Sequence, residues 1–336
     1  MKVLLISGNY PPISCGIGDY TFKLSEALKL SGVEVVVLAN INWGIFNFFN
    51  IKKIISNINP DVIHIQYPST GYGFSLVPQL ISLLYKTIVT IHEVSQSHWI
   101  RKLSLFPFSL RSTLIFTNKF EFEAYKKLFI WRKLDCHIIA IGSNISESVE
   151  IVDIHKRDFT KVIYFGQIRP QKGMEDLITL AKLIKEQGLA YKVVIVGQLV
   201  EHFRSYYEQI YNSAKDLGID WKLNLSENAV IDILKLNMLC YLPFPDGASG
   251  RRGSLFAALN NKMLVFTTEG LQTTFEIKRT IFVTKSANDV IRILSQSTKD
   301  DFIREVSIRE QYIKSLIKSI SWPEIANLHI RIYNCR

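Results

Sequence analysis

Two stretches of this chain set cationic side chains at turns from which they could face an anion. The first reads Val162-Ile163-Tyr164-Phe165-Gly166-Gln167-Ile168-Arg169-Pro170-Gln171-Lys172-Gly173. An apolar, strand-like run ends at Gly166, Arg169 and Lys172 follow three residues apart, and a helical pattern opens near Gly173. Fixed cations at a strand end suit a diphosphate, each charge-assisted hydrogen bond contributing on the order of 1.5–3 kcal/mol. A solvated basic turn is the alternative for the same residues. The second stretch is Pro243-Phe244-Pro245-Asp246-Gly247-Ala248-Ser249-Gly250-Arg251-Arg252-Gly253-Ser254. Here a strand runs into small residues, then adjacent arginines, then a helix. A helix start with small residues and guanidinium groups beside it is an anion cradle. Paired arginines inside otherwise apolar sequence are poorly explained as plain surface.

The first half holds weaker candidates. His92 ends a strand in Thr90-Ile91-His92-Glu93, and His64 and Gln66 end another in His64-Ile65-Gln66-Tyr67. Alternation puts His64 and Gln66 on one face of their strand. A lone histidine serves structure or chemistry, and both remain open for His92. The loop from Gly8 to Tyr20 carries Gly16, Gly18 and Asp19 before a helix. Small residues there let backbone approach a ligand. Thr21 stands where a dinucleotide fingerprint would place its third glycine, so an ordinary Gly-rich turn is an equal reading.

The elements that would position these residues follow from hydrophobic pattern. Val3–Ser7, Val33–Leu38, Val62–Gln66, Thr87–His92 and Thr113–Thr117 read as strands apolar on both faces, as buried parallel strands are. Lys161–Gly166, Lys192–Gly197, Met238–Pro243 and Met263–Thr267 repeat the pattern. Helical periodicity fills the intervals at Tyr20–Leu30, Gly173–Gln187, Val200–Leu217, Ser226–Leu236 and Gly253–Asn260. Two successive runs of alternating strand and helix predict an α/β protein of two doubly wound, Rossmann-like domains. The seam is expected in the charged stretch Glu147–Thr160. A last helix opens at Ser321-Trp322-Pro323-Glu324, with Ser321 as N-cap and Glu324 completing a capping box. Domains facing across a cleft would place a ligand at the carboxyl ends of the strands.

The 336 residues carry a net charge of +10, which predicts an anionic partner without choosing one. Cys15, Cys136, Cys240 and Cys335 are too dispersed for a disulfide framework or a zinc site. The opening residues are too short an apolar run for a signal peptide, and no stretch approaches the ~20 apolar residues of a membrane span. A soluble or peripheral protein of the cytoplasm is expected, with the inner face of the cell membrane as its surface. From His98 to Lys133, eight basic residues face only Glu121 and Glu123, a net +6, with aromatics from Trp99 to Trp131 interleaved. That suits an anionic membrane surface, or else the aromatics are core and the charges a solvated face. No nucleic-acid module is visible, so nucleic acid is not an expected partner.

Taken together and in order, these segments resemble glycosyltransferase family 4, of the GT-B fold. The Tyr10–Tyr20 loop is similar to that family's N-terminal loop, and the strand ending in His92 to its catalytic-centre strand. Ile141-Gly142-Ser143-Asn144-Ile145 resembles the segment before its hinge. Phe165–Gly173 resembles its diphosphate loop, Asp246–Thr268 its donor-binding helix and following strand, and the Trp322 helix the one returning to the N-terminal domain. The resemblance implies an N-terminal acceptor-side domain at 1–150, a nucleotide-sugar domain at 151–318 and a returning helix at 319–336. It implies retaining, metal-independent transfer from a nucleoside-diphosphate sugar to a saccharide or lipid-linked acceptor, with no cofactor. His92, Lys172 and Arg169 would then be catalytic. Gly16, Gly18, Gly166, Asp246, Gly247, Ser249, Arg251, Arg252 and Gly253 would bind the donor, and Gln66 and Asp19 would face the acceptor. Two positions depart from the family. Gln167 replaces the arginine usual after Gly166, and Ser249 and Ala257 occupy the places of two glutamates. A non-catalytic sugar-nucleotide or polysaccharide-binding protein is the competing reading.

Overall fold

Runs of Val, Ile and Leu buried on both faces build two separate parallel sheets. The computed structural model describes residues 1–13, 15–95, 97–129, 135–142 and 152–335. By its contacts the chain divides into two compact units, Met1–Asn144 with Ser319–Arg336, and Ile145–Lys318. Residues 147–151 of the expected seam, 143–145 of the segment before it, and Trp131, Arg132 and Lys133 of the basic stretch lie outside the described residues.

The first unit contains β1 (Lys2–Ile6), β2 (Glu34–Leu38), β3 (Val62–Tyr67), β4 (Thr87–Ile91), β5 (Thr113–Phe116) and β6 (Cys136–Ile138). They lie in the order β2-β1-β3-β4-β5-β6, every pair parallel. Its helices are α1 (Gly16–Leu30), α2 (Phe48–Ile58), α3 (Val77–Leu84), α4 (Trp99–Leu103), α5 (Phe108–Arg111) and α6 (Lys119–Leu128). Alternating strand residues feed two cores. Leu4, Ile6, Ile63, Ile65, Val89 and Ile91 pack with Ile51 and Ile55 of α2, Val77 and Ile81 of α3, Phe108 of α5 and Tyr125 of α6. Val3, Leu5, Val62, Ile88 and Ile115 point the other way, onto Tyr20, Leu24 and Leu28 of α1.

The second unit contains β7 (Asp158–Ile168), β8 (Lys192–Leu199), β9 (Asp220–Leu223), β10 (Asn237–Leu242), β11 (Leu264–Thr267) and β12 (Ile281–Val283). Their order is β12-β11-β10-β7-β8-β9, again all parallel. Its helices are α7 (Met174–Glu186), α8 (Arg204–Ser213), α9 (Glu227–Leu236), α10 (Gly253–Asn260), α11 (Phe275–Lys278), α12 (Ala287–Gln296) and α13 (Lys299–Ser319). Strand order reverses between β7 and β10, and in an open parallel sheet that reversal is where a ligand crevice forms.

Several expected boundaries move. β6, β9 and β12 add to the expected strands; all lie at sheet edges, where the half-exposed chain carries little apolar signal. α1 starts at Gly16 rather than Tyr20. β7 does not stop at Gly166 but runs to Ile168, because Gly166 and Gly197 pair through main chain that needs no side chain. The segment expected as one helix over Val200–Leu217 is α8 flanked by single 3-10 turns. The basic stretch is mixed: Phe108, Phe116, Tyr125 and Phe129 are core, while Trp99, Phe106 and Phe120 are exposed. Among the described residues no helix is long and apolar enough to cross a membrane.

The final helix, α14 (Trp322–Asn334), belongs to the first unit. Ser321 caps it by accepting from the Glu324 N–H, and Pro323 sits in the first turn, where no N–H is missed. Its apolar stripe, Ile325, Ala326, Ile332 and Tyr333, closes the core on the α1 side of the sheet. Ile325 is fully buried. Ile325→Ala should therefore lower the unfolding free energy of this unit by about 2–5 kcal/mol, read from urea denaturation.

Candidate diphosphate site and the His92 strand

In the second unit, β7 and β10 lie side by side and deliver both cationic loops to one end of the sheet. Arg169 directly follows β7, and the chain then turns through Gln171 and Gly173, both left-handed with φ 64° and 74°. A Cβ at Gly173 would stand 2.0 Å from the Pro243 carbonyl oxygen, so only glycine lets the first loop press on the second. Gly247, with φ 87°, plays the same part further on: a Cβ there would meet the Gly270 nitrogen at 2.2 Å. The Asp246–Gly253 loop is thus clamped between the turn after β7 and the turn after β11.

The clamp crowds like charge. The Arg252 guanidinium lies 4.6 Å over the Phe244 ring and pairs with Asp246, and Arg251 stands 3.8 Å from the same carboxylate. Arg169 Nε donates to Gln167 Oε1 at 3.4 Å. Lys172 has no carboxylate partner among the described residues. Burial first, then Arg252 and Arg169, pull its ammonium down to about 8. Burial and Arg169 likewise lower Arg252. Two buried polar atoms in this loop, Ser249 Oγ and Arg252 Nε, have no hydrogen-bond partner. Buried polar groups are normally hydrogen-bonded, so both atoms retain capacity for a further partner. The start of α10 adds backbone N–H groups that no side chain caps. Ala257 is wholly buried in the core on α10, which accounts for an apolar residue at that position. Gly166 lies within β7 beside the Tyr164 hydroxyl rather than at the loop tip.

In the first unit, α1 begins directly in the loop after β1. Gly18 is buried, and a Cβ there would crowd the Asn9 carbonyl at 3.0 Å; Gly16 is exposed, with open space where its Cβ would be. Asp19 is half-buried in the first turn, its carboxyl raised by burial against the opposing pull of Lys23. His92 follows β4. Its Nε2 lies 2.9 Å from Gln66 Oε1, and its ring meets Tyr20 edge-on at 4.8 Å. Gln66 Nε2 is 3.1 Å from His64 Nε2, and His64 in turn lies 2.7 Å from both Thr90 Oγ1 and the Tyr333 hydroxyl. A buried polar chain thus runs from α14 through β3 to His92. With Gln66 accepting, His92 Nε2 carries the proton and Nδ1 is the acceptor. Burial, then His329, pulls His92 down to about 3, so its imidazole is neutral at any working pH.

Gln66, expected at the acceptor, is fully buried with its amide bonded at both ends. It reads as the support of His92. Tyr20, Thr90, His329 and Tyr333 join this chain without any motif in the sequence that marks them. The register Gln66↔Thr90 across β3 and β4 is the signal that would have joined two of these strands' polar residues.

No protein-family model and no curated protein matches the chain. Solved structures do. A glycosyltransferase from Rickettsia africae superposes with TM-score 0.75 at 15% identity, covering 99% of this chain and 97% of that one. Anabaena HepE in complex with UDP and glucose gives 0.70 at 11%, over 100% of each chain. WaaG, a glycosyltransferase of lipopolysaccharide biosynthesis, gives 0.67 at 12%, covering 98% of this chain and 99% of its own. The chain has the GT-B fold. Within this GT-B chain, the second unit brings Arg169, Lys172, Ser249 and Arg252 to the β7–β10 reversal, and the first brings Gln66 to His92. Among the described residues no three His, Cys, Asp or Glu side chains are placed to hold a metal ion.

Anion binding should report the lowered Lys172 directly. A pyrophosphate ion favours the protonated amine, so the Lys172 contribution to affinity is steady below about pH 7 and falls above pH 8, by at most about tenfold per unit. Calorimetric titration across that range measures it. Lys172→Arg, charged throughout, should remove the fall and leave only the ligand's own titration. In the first unit, the His92 ring nitrogens should show no titration between about pH 5 and 8 by 15N NMR.

Proposed function

We propose that this GT-B chain is a retaining, metal-independent glycosyltransferase. It moves a sugar from a nucleoside-diphosphate sugar to a saccharide or lipid-linked acceptor in glycan or polysaccharide biosynthesis. The observation that carries the reading is the cation cluster of Arg169, Lys172 and Arg252 beside unpartnered, buried Ser249 Oγ and Arg252 Nε. A departing nucleoside diphosphate gathers negative charge as the bond to the anomeric carbon breaks. Cations already desolvated and held in place stabilise that charge without reorganising. They supply the positive charge that a metal supplies elsewhere. The UDP held by the Anabaena neighbour is a ligand of this class.

The remaining parts follow from the resemblance and from chemistry. His92, neutral and with Nδ1 left as acceptor, suits a sugar hydroxyl rather than proton transfer. The open backbone at Gly16 suits close approach of phosphate or sugar. Asp246, paired with Arg252, tunes the charge the donor meets. A lipid-linked acceptor would bring the protein to the cytoplasmic face of the membrane, where its net charge of +10 favours anionic lipid.

Lys172→Ala and Arg252→Ala should each lower kcat/KM by roughly ten- to a hundredfold, and together abolish transfer, with near-ultraviolet circular dichroism unchanged. Full activity in the double variant would overturn the site. A thermal-shift screen against UDP-, GDP-, ADP- and CMP-sugars identifies the donor, since ligand at 100 times its Kd adds about 2.7 kcal/mol. NMR of the product reads the anomeric configuration; an inverted linkage refutes retention. Tight donor binding with no transfer to any acceptor would favour a sugar-nucleotide-binding protein instead.

A further inference from the structure

Among the described residues, the most exposed phenylalanines of the first unit lie outside the basic stretch His98–Lys133. Phe46 is 99% exposed, Phe49 78% and Phe74 100%, with Leu76 at 55%. Phe46 lies in the turn before α2, Phe49 in its first turn, and Phe74 in the loop before α3. These loops are not loosely hung. Ser75 Oγ donates to the Trp43 carbonyl, and the Trp43 ring sits edge-on to Tyr72 at 4.9 Å. Both rings are buried in the core beneath.

Charge accompanies these phenylalanines. Phe49, Lys52 and Lys53 are spaced i, i+3 and i+4 on α2, all exposed, while Ile51 and Ile55 take the buried side. Residues 35–60 contain those two lysines and no Asp or Glu, and residues 62–92 contain Lys86 and no Asp or Glu. α3 continues the surface toward α4 and α5, since Gln79 Nε2 donates to the Ser104 carbonyl and Arg111 Nη1 to that of Leu83. There Trp99 and Leu103 are each 63% exposed, beside Arg101 and Lys102.

We infer that Phe46, Phe49, Phe74 and Leu76, flanked by Lys52 and Lys53, form a wedge that enters the interface of an anionic phospholipid bilayer. Aromatic rings that project from rigid turns, with lysines beside them, match a surface whose interior is apolar and whose headgroups are negative. A second copy of the chain fits less well. A two-fold contact there would bring Lys52 and Lys53 near their own counterparts, with no acidic residue in the patch to answer them. The inference rests on the membrane-face part of the proposed function and is independent of the donor site.

Flotation of the full chain with vesicles tests it. The wild type should float with vesicles of phosphatidylcholine and phosphatidylglycerol at low salt, and far less with phosphatidylcholine alone or at high salt. The triple variant F46S/F49S/F74S should lose at least tenfold in partitioning. K52Q/K53Q should lose roughly fivefold per lysine, and with it most of the salt dependence. Thermal stability and the thermal shift with UDP-sugars should match wild type in both variants, which separates this surface from the donor reading. Wild type that stays unbound, or a triple variant that floats as wild type does, overturns the wedge. So does a wild-type dimer in light scattering that the triple variant dissolves.

Discussion

Arg252 and Arg169 stand close enough to Lys172 to lower its protonation, Arg169 also lowers that of Arg252, and of the three only Arg252 has a carboxylate drawn against it among the described residues. Left to themselves, such charges would move apart into water. They stay because glycines at 173, 247 and 270 let main chain touch main chain, where any Cβ would collide. The remainder of the second unit serves that clamp. Adjacent parallel strands bring the loops to one end of the sheet, and reversed strand order opens a crevice there. Under the proposed function, a bound diphosphate would offset the repulsion within this cluster.

The first unit handles polarity in the opposite way. Burial holds His92 and His329 neutral, and a hydrogen-bonded chain runs from Tyr333 through His64 and Gln66 to His92. Desolvation, which in the second unit weakens a charge that is kept, here removes the charge altogether. The His92 ring is then oriented by Gln66 and Tyr20 rather than by an ion pair. α14 contributes Tyr333 to that chain and Ile325 to the core, so one helix secures both the packing and the orientation of the strand end. The opposite core carries the helices that display Phe46, Phe49 and Phe74. One face of the sheet thus supports the His92 chain, and the other supports an exposed apolar and cationic surface.

Much of this was legible from local pattern. Runs such as Val62–Gln66 and Lys192–Gly197 are apolar on both faces, which specifies buried parallel strands wherever they occur. Ser321, Pro323 and Glu324 announce the last helix because capping is a matter of adjacent residues. The cationic loops were visible because a strand end, small residues and a helix start follow one another directly in the chain. By itself, then, the sequence determined the α/β architecture of alternating strands and helices, the resemblance to a GT-B enzyme, and the loops that carry charge. Only the tertiary structure decided which of those charges are paired, desolvated or free of a carboxylate. It also decided that Gln66 is buried beneath His92, that edge strands β6, β9 and β12 form, and that Phe46, Phe49 and Phe74 face outward while Phe108 and Phe116 do not. The reason is physical: periodicity and turn chemistry act between near neighbours, whereas burial and the pairing of charge depend on segments far apart in the chain meeting in space.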